Sequence, residues 1–317
     1  MKILLTDCIT VHNNYDVSLD VFKSFGDTVE YNNISREELL NEVRDTDMII
    51  CNKTVIDREI MDNAPRLKYI GLFATGYNNI DITAAKEKGI VVSNAGNYST
   101  NAVAQQVIAY ILMHYTKAAE YNEYVKNGNW IGHYVFCPLV FTGDEVYGKT
   151  LGIIGYGSIG KAVKRAAEGL GMNVIVNTRT VRDDGETRFV DRDTLYKESD
   201  IVSLHCPLNE DSADMINAQS LKKFKDSAFL INTARGGVVD EYALAEALNN
   251  GKLSGAAVDV LKQEPMSADC PLRNAKNIII TPHTAWAPLT TRKRLIGIVA
   301  DNIKAFIEGK PQNNVAK

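Results

Sequence analysis

The stretch LGIIGYGSIG, residues 151–160, decides the fold. A short apolar run precedes the pattern G-x-G-x-x-G, and the helix-forming run KAVKRAAEGLG follows it. Gly155 permits a tight turn, Gly157 lets the backbone approach a pyrophosphate, and Gly160 lets the helix pack on the strand. A glycine-rich turn that binds no ligand could have the same sequence. The apolar run NVIVNT that comes after the helix-forming run favours a dinucleotide site instead. The predicted phosphate-binding residues are Gly155, Tyr156, Gly157, Ser158, Ile159 and Gly160.

Apolar runs alternate with helix-like stretches on both sides of this loop, which is typical of parallel sheets flanked by helices. The runs LGIIGYG, NVIVNT, DIVSLHCP, AFLINTARG, GAAVDV and NIIITPH make six strand candidates, the number in a complete dinucleotide-binding sheet. Upstream lie four more, KILLTD, DMIICN, LKYIGLFATG and GIVVSN. Long helical patterns are predicted from Asn101 to about Lys126 and from about Leu289 to Gly309.

The length of 317 residues predicts two domains, because one core rarely grows that large. The glycine loop lies mid-chain, so we expect the dinucleotide-binding domain at 99–285. A first domain would combine 1–98 with a returning segment, 286–317. The predicted fold class is α/β, with two doubly wound parallel sheets, one of them of Rossmann type.

Composition excludes several function classes. Hydrophobic residues make up 45% of the chain and charged residues 23%, and the net charge of -4 gives no reason to expect nucleic acid. The apolar run in MKILLTDCIT is too short for a secretion signal, and no stretch approaches the ~20 apolar residues of a membrane span. We therefore expect neither secretion nor a membrane partner.

The cysteines indicate a reducing compartment. Their number is odd, they are scattered, and none forms a C-x-x-C pair, so neither disulfides nor a metal site is expected. Reduced thiols in a cytoplasmic protein are the favoured interpretation for Cys8, Cys51, Cys137, Cys206 and Cys270.

Three polar residues follow predicted strands. Arg235 comes after AFLINTA, Glu264 after GAAVDV and a short loop, and His283 after NIIITP. The carboxyl ends of parallel strands meet at one edge of a sheet, where ligands bind. Any one of them alone would be interpreted as a surface arginine, a loop glutamate or a structural histidine. Together, beside a nucleotide loop, they predict an active site.

The chemistry of these residues suits one reaction, the reduction of a 2-keto acid. Arginine offers a permanently charged fork of donors that matches a carboxylate. Histidine transfers protons near neutral pH, and a neighbouring glutamate favours its charged form and fixes its orientation. With a hydride from the dinucleotide, Arg235, Glu264 and His283 would interconvert a 2-keto acid and a 2-hydroxy acid.

With these residues in place, nearly the whole chain resembles the D-isomer-specific 2-hydroxyacid dehydrogenases. Within that family it is most similar to the glycerate dehydrogenases, also called hydroxypyruvate reductases, for which ATGYNNID and PHTAWA are the most specific pointers. The resemblance is carried by ATGYNNID (74–81), NYSTNAVAQ (97–105), GKTLGIIGYGSIG (148–160), LHCPL (204–208), NTARGGVVDE (232–241), VDVLKQEP (258–265) and TPHTAWA (281–287).

The resemblance implies roles for further residues. His283 would be the acid/base, Glu264 its partner, and Arg235 would bind the substrate carboxylate and carbonyl. Asp259 would hold the nicotinamide carboxamide. The ribose and ring of the nicotinamide would be lined by Cys206, Pro207 and Thr233. Substrate contacts would come from Lys53, from the N–H groups of Ala74, Thr75 and Gly76, and from Trp286. The resemblance also implies a smaller, flavodoxin-like substrate domain that closes over the dinucleotide domain, and a homodimer.

Cofactor choice departs from the family pattern. NAD users of the family carry an acid at the end of the second nucleotide-domain strand, but Thr178 stands there, 23 positions after Gly155. Arg179 follows and would bind a 2′-phosphate, with Arg182 as a further cation. The cofactor is thus predicted to be NAD(H) or NADP(H), with NADP(H) favoured. Alternatively, Arg179 stacks on adenine or faces solvent while the backbone holds NAD.

Two other functions stay open at this point. One is a related reductase of the D-lactate or phosphoglycerate type, although a phosphorylated substrate would need more cations than Lys53. The other is a dinucleotide-sensing corepressor on the same fold, which the lack of long terminal tails disfavours. Fold analogy cannot separate an enzyme from a binding protein, whereas turnover can.

Overall fold

The computed structural model describes residues 1–181 and 184–317, so Arg182 and Asp183 lie outside the described residues. The chain forms two compact units. Unit 1 comprises Met1–Ser99 and Ala287–Lys317, and unit 2 comprises Thr100–Trp286. Each unit contains its own parallel sheet.

Unit 1 contains a five-stranded parallel sheet in the order β2-β1-β3-β4-β5, the flavodoxin-like order. Its strands are β1 (Lys2–Leu5), β2 (Asp27–Glu30), β3 (Met48–Cys51), β4 (Tyr69–Leu72) and β5 (Val91–Ser93). Its first helices are α1 (Arg36–Glu42), α2 (Arg58–Asp62) and α3 (Ile82–Glu87). The side chains of Ser35, Asp57 and Asp81 cap these three helices at their N-termini.

Unit 2 contains a seven-stranded parallel sheet in the order β12-β11-β10-β9-β6-β7-β8. Its strands are β6 (Thr150–Ile154), β7 (Asn173–Asn177), β8 (Arg188–Phe189), β9 (Ile201–Leu204), β10 (Phe229–Asn232), β11 (Gly255–Val258) and β12 (Ile278–Ile280). Its helices are α4 (Thr100–Thr116), α5 (Ala118–Lys126), α6 (Ser158–Gly169), α7 (Arg192–Glu198), α8 (Ala218–Leu221) and α9 (Glu241–Asn249). The order reverses at β6, and this switch point is where such sheets bind nucleotides.

The chain returns to unit 1 in α10 (Leu289–Ile307), which packs on β4. Phe306 at the end of the helix meets the ring of the fully buried Tyr69 at 4.8 Å between centroids. Short 3-10 helices lie at Cys8–Thr10, Asp20–Ser24, Val43–Asp45, Gly236–Val238 and Pro271–Asn274. No helix within 1–181 and 184–317 has the length and apolar character needed to cross a membrane.

Both faces of the unit 2 sheet are buried, which explains the nearly continuous apolar runs of its strands. Along β10, Leu230 packs into one apolar cluster while Phe229 and Ile231 pack into another. Along β11, Ala256 and Val258 alternate with Ala257 in the same way. Side chains of period two therefore supply two cores, one on each face.

The predicted fold class is confirmed, with two parallel α/β sheets. Two strands were missed, the edge strands β2 and β8, because an edge strand pairs on one side and need not be apolar. In β2 the letters DTVE are all at least partly exposed, and β8 has two residues. The predicted helix from Asn101 to Lys126 is two helices, α4 and α5, because Lys117 adopts a left-handed conformation with φ 54°.

Candidate active site

Arg235, Glu264 and His283 come together in unit 2. Each follows one of three neighbouring strands, β10, β11 and β12, so the parallel sheet delivers all three to one edge. They line one open pocket of about 330 Å³, together with Val260, Leu261 and Lys262. The three residues singled out from the sequence are therefore neighbours in space.

Glu264 and His283 form a hydrogen-bonded pair. Glu264 Oε2 lies 2.6 Å from His283 Nδ1, and Glu264 Oε1 accepts from the Leu261 N–H at 3.0 Å. A carboxylate only accepts, so Nδ1 carries the proton and Nε2 is the nitrogen left for a substrate. About a third of each side chain is exposed, so the pair can be reached from solvent.

The backbone of His283 is also constrained. Its φ is 55°, in the left-handed region that non-glycine residues seldom occupy. The His283 N–H donates to the backbone carbonyl of Asp259 at 2.8 Å, which ties the histidine to the end of β11. Such conformations persist only where the surroundings over-determine them, and they cluster at functional sites.

Arg235 is held at its turn by Asn232, a residue to which the sequence analysis assigned no role. The buried Asn232 amide donates to the Arg235 carbonyl at 2.9 Å, and its Oδ1 accepts from the Ala234 N–H at 3.0 Å. The exposed guanidinium uses Nη1 on the Ala234 carbonyl, which leaves its other donors for a ligand. The sequence signal for this role is the position of Asn232, three residues before Arg235 in NTARGG.

Gly236 allows the Arg235 turn to approach the loop that carries Glu264. A Cβ at this position would lie 1.9 Å from the carbonyl carbon of Leu261 and 2.4 Å from the Lys262 nitrogen. Those distances are far inside van der Waals contact and involve backbone on both sides. Only glycine permits this proximity of the two loops.

Asp259 is a buried carboxylate that holds the loop after β12. Its oxygens accept the N–H groups of Thr284 and Ala285, both at 2.9 Å. Burial raises the pKa of Asp259, and these hydrogen bonds oppose that rise. The carboxylate predicted to face the nicotinamide is thus also the anchor of the loop that presents His283.

A further hydrogen-bond chain reaches Asp259 from helix α4. The Thr281 hydroxyl donates to Asp259 Oδ1 at 2.5 Å, and the buried Tyr110 hydroxyl lies 2.5 Å from the Thr281 oxygen. Because the carboxylate takes the Thr281 proton, Tyr110 is the donor to Thr281. Sequence reasoning missed Tyr110, which lies 171 residues from its partner in an ordinary helical pattern.

The glycine loop is shaped for close approach. Gly155 has φ 98°, and a Cβ there would lie 2.6 Å from the His205 backbone, while one at Gly160 would lie 2.3 Å from the Gly155 oxygen. A Cβ at Gly157 would meet no atom within 4 Å. Helix α6 starts directly after Gly157 without a side-chain cap. Tyr156, Ser158 and Ile159 complete the loop.

Strand β7 ends at Asn177, whose amide donates to the Val190 carbonyl at 2.8 Å. Thr178 follows half-buried, and Arg179 is exposed and forms no ion pair with any described residue. The carboxylate oxygens of Asp184 accept hydrogen bonds from the N–H and the hydroxyl of Thr187, both at 2.8 Å, so they are not free to bind ribose hydroxyls. The predicted second cation, Arg182, lies outside the described residues.

Unit 1 presents two loops at the carboxyl edge of its sheet. Lys53 follows β3, and its exposed ammonium has no hydrogen-bond partner in the described chain. Ala74, Thr75 and Gly76 follow β4, and their N–H groups donate to no other group of the described residues. Three N–H groups in one loop, with no acceptor, suit an anion. Trp286 is the half-buried last residue of unit 2.

Residues 108–285 match the family model described as "D-isomer specific 2-hydroxyacid dehydrogenase, NAD binding domain". The chain belongs to this dehydrogenase family. A hydroxypyruvate reductase from Blautia hydrogenotrophica is 37% identical, with the full length of both chains covered. A glycerate dehydrogenase from Methylorubrum extorquens is 39% identical over 88% of each chain. This dehydrogenase is therefore an oxidoreductase acting on the CH–OH group of a small hydroxy acid.

Two solved structures show the cofactor class. An acyclic imino acid reductase in complex with NADPH and D-Arg is 32% identical, with a TM-score of 0.87 over 99% of this chain and 100% of its own. A D-lactate dehydrogenase from Aquifex aeolicus, complexed with NAD and lactic acid, is 29% identical, with a TM-score of 0.85 over 99% of both chains. The cofactor of this dehydrogenase is a nicotinamide dinucleotide.

The residues of unit 2 fit such a cofactor. The open space at Gly157 and the uncapped start of α6 suit a pyrophosphate. Further along the same sheet edge, the Thr233 hydroxyl is buried and has no hydrogen-bond partner among the described residues, which suits a ribose or carboxamide group. Cys206 is half-buried, and burial raises the pKa of its thiol, so it presents a neutral wall beside Pro207.

Proposed function

We propose that this dehydrogenase reduces hydroxypyruvate or glyoxylate to D-glycerate or glycolate in the cytoplasm. The observation that carries the proposal is the Glu264–His283 pair, 2.6 Å long, in the pocket that Arg235 lines. The named activities of the relatives from Blautia hydrogenotrophica and Methylorubrum extorquens favour these substrates. All five cysteines are free thiols, the state that a reducing compartment maintains.

The proposed chemistry divides between three side chains. Arg235 binds the substrate carboxylate through its free guanidinium donors. Glu264 holds the Nδ1 proton of His283, so Nε2 delivers a proton to the carbonyl oxygen and takes it back in the reverse reaction. When bound, a reduced nicotinamide would supply the hydride for this reduction. Asp259 Oδ2 accepts one protein N–H and has capacity left for a carboxamide donor.

Unit 1 supplies further substrate contacts in this proposal. The N–H groups of Ala74, Thr75 and Gly76 bind the substrate carboxylate, and Lys53 adds positive charge. Their support is the absence of any competing acceptor for these groups in the described chain. Trp286 packs against the substrate from the end of the TPHTAW segment.

A panel of 2-keto acids, each assayed with NADH and NADPH, tests the substrate assignment. We expect hydroxypyruvate or glyoxylate to exceed pyruvate in kcat/KM. For hydroxypyruvate the reason is that a site that binds the substrate hydroxyl rejects an analogue lacking it. Equal or better use of pyruvate would move the protein to the D-lactate type. His283→Ala should lower kcat by roughly 10²–10⁴-fold with cofactor affinity retained. Near wild-type turnover would remove His283 from the mechanism.

We further propose that NADPH serves at least as well as NADH. The support is Thr178 in place of an acid, the adjacent Arg179, which forms no ion pair within residues 1–181 and 184–317, and the hydrogen bonds of Asp184 to Thr187. An acid here would bind the ribose hydroxyls and repel a 2′-phosphate. Arg179→Ala should raise KM for NADPH far more than for NADH, and Thr178→Asp should favour NADH. Strong NADH turnover with negligible NADPH turnover in the wild type would refute the assignment.

A homodimer is the third part of the proposal. The loop after α5 exposes large apolar side chains, with 94% of Tyr134, 91% of Phe136 and 87% of Leu139 accessible. Clustered exposure of this kind marks interaction surfaces. Phe136→Ser with Leu139→Ser should shift the sedimentation coefficient from dimer to monomer, whereas a monomeric wild type would contradict the proposal.

A further inference from the structure

The loop that carries Lys53 is fixed by a buried carboxylate, Asp7. Asp7 follows β1, is 2% exposed, and forms no ion pair among the described residues. Its Oδ1 accepts from the Asn52 N–H at 2.8 Å, and its Oδ2 accepts from the N–H groups of Lys53 at 2.5 Å and Thr54 at 2.9 Å. Three consecutive peptide groups thus converge on one carboxylate.

The same loop is held from its other side by Asn79. The Asn79 amide donates to the Thr54 carbonyl at 2.8 Å and contacts the Asn52 carbonyl at 3.4 Å. The Asn79 carbonyl accepts from the Ile56 N–H at 2.9 Å. All three N–H groups of the Asn52–Thr54 segment, and the carbonyls of Asn52 and Thr54, are therefore bound by side chains from other loops.

This arrangement places a rigid main chain beneath a free side chain. Hydrogen bonds from N–H groups to a carboxylate are stronger than neutral ones, and a buried charge is costly unless it is fully satisfied. In the middle of this anchored segment, the Lys53 ammonium is exposed and has no partner in the described part of the chain.

We propose that Asp7 is a positioning residue for substrate binding, which acts by fixing the backbone of Lys53. The inference rests on the proposed role of Lys53 toward the anionic substrate. Lys53 attracts the substrate charge equally in the ground state and the transition state, so loss of its alignment raises KM and leaves kcat unchanged. Asn79 supports the same function from the opposite side of the loop.

Asp7→Asn tests this directly, because it keeps the volume while replacing one acceptor oxygen with an NH₂ group, which cannot accept. The Asn52 N–H then keeps at most its longer contact of 3.1 Å to the remaining oxygen and faces the NH₂ group at the other position, and all three hydrogen bonds lose the carboxylate charge, so the loop gains freedom. We expect KM for glyoxylate or hydroxypyruvate to rise about tenfold, with kcat and KM for the dinucleotide nearly unchanged. Asp47→Asn is the matched control: it disrupts hydrogen bonds to Lys2 and Arg66 at the opposite end of β3 and should leave the keto-acid KM unchanged.

A double-mutant cycle with Lys53→Gln separates the inference from the proposed function. If Asp7 acts through Lys53, Asp7→Asn adds little to KM in the Lys53→Gln background. If Lys53→Gln alone leaves KM unchanged, the proposed role of Lys53 fails. If Lys53→Gln raises KM but Asp7→Asn does not, or if the two effects multiply independently, the positioning role is overturned while the proposed function stands. If Asp7→Asn does not fold, Asn79→Ser at a half-buried position takes its place in the cycle. The expected rise in KM and the results that would overturn the positioning role are the same.

Discussion

Replacing Gly236 with alanine tests whether the active site requires the Arg235 turn to touch the loop that carries Glu264. The added Cβ would lie 1.9 Å from the carbonyl carbon of Leu261, roughly 1.5 Å short of the 3.4 Å at which ordinary contact begins. The obstructing atoms are backbone, so no rotamer change relieves the clash. Either the turn or the loop must move by about 1 Å or more.

The movement separates Arg235 from the Glu264–His283 pair. Misplacement of reacting groups by about 1 Å can cost on the order of 10²-fold in rate, and overpacking costs about 1–3 kcal/mol of stability. We therefore expect kcat/KM for the keto acid to fall about 100-fold in Gly236→Ala. Cofactor affinity should change little, because the glycine loop lies on a different strand connection.

Steady-state kinetics, a cofactor fluorescence titration and thermal unfolding together measure these effects. Gly237→Ala is the matched control, because its Cβ would meet only the side chain of Leu208 at 2.9 Å, and Leu208 is about half exposed and can rotate. It should retain nearly full activity. A Gly236→Ala enzyme with wild-type kcat/KM would show that the contact between the two loops is irrelevant to catalysis.

Three other results are expected. Gly157→Val should abolish cofactor binding without lowering the melting temperature, because its side chain enters open space beside the start of α6; retained affinity would contradict this placement. Burial lowers the pKa of both His114 and His205 to about 4. The unfolded chain therefore binds protons first as pH falls below about 6.5, and each histidine should remove about 2 kcal/mol from the free energy of unfolding by pH 5. Urea denaturation at pH 7 and pH 5 measures that loss, and pH-independent stability would contradict it. Asn232→Ala should lower kcat/KM for the keto acid and destabilise unit 2 by about 1–3 kcal/mol, because the Arg235 carbonyl and Ala234 N–H lose their partner. Steady-state kinetics and urea denaturation of the same preparation measure the two effects.

Local patterns in the sequence were sufficient to predict the inner strands of both sheets and the glycine loop. Buried strands read as short apolar runs because both faces of a parallel sheet pack against helices. The turn at Gly155 can be predicted from the sequence, because few residues other than glycine tolerate its positive φ. The sequence alone predicts that Arg235, Glu264 and His283 lie close together, since parallel strands bring their carboxyl ends to one edge of the sheet.

Edge strands and the supporting hydrogen bonds were beyond the reach of local patterns. β2 and β8 are paired on one side, so their composition carries little signal. Asp7 reads as a polar residue after a strand, yet it binds three peptide groups more than 40 positions away. Tyr110 reads as one more apolar position of a helix, yet its hydroxyl reaches Thr281.

The sequence by itself therefore determined the sheet architecture, the glycine loop and the grouping of Arg235, Glu264 and His283 at one sheet edge, because those features follow from periodicity, backbone conformation and side-chain chemistry within short stretches. Only the tertiary structure decided which distant groups hold the candidate site residues in place. Hydrogen bonds such as that between Asp7 and Lys53 depend on the distance between loops that are remote in the chain, and no property of either stretch alone specifies that distance.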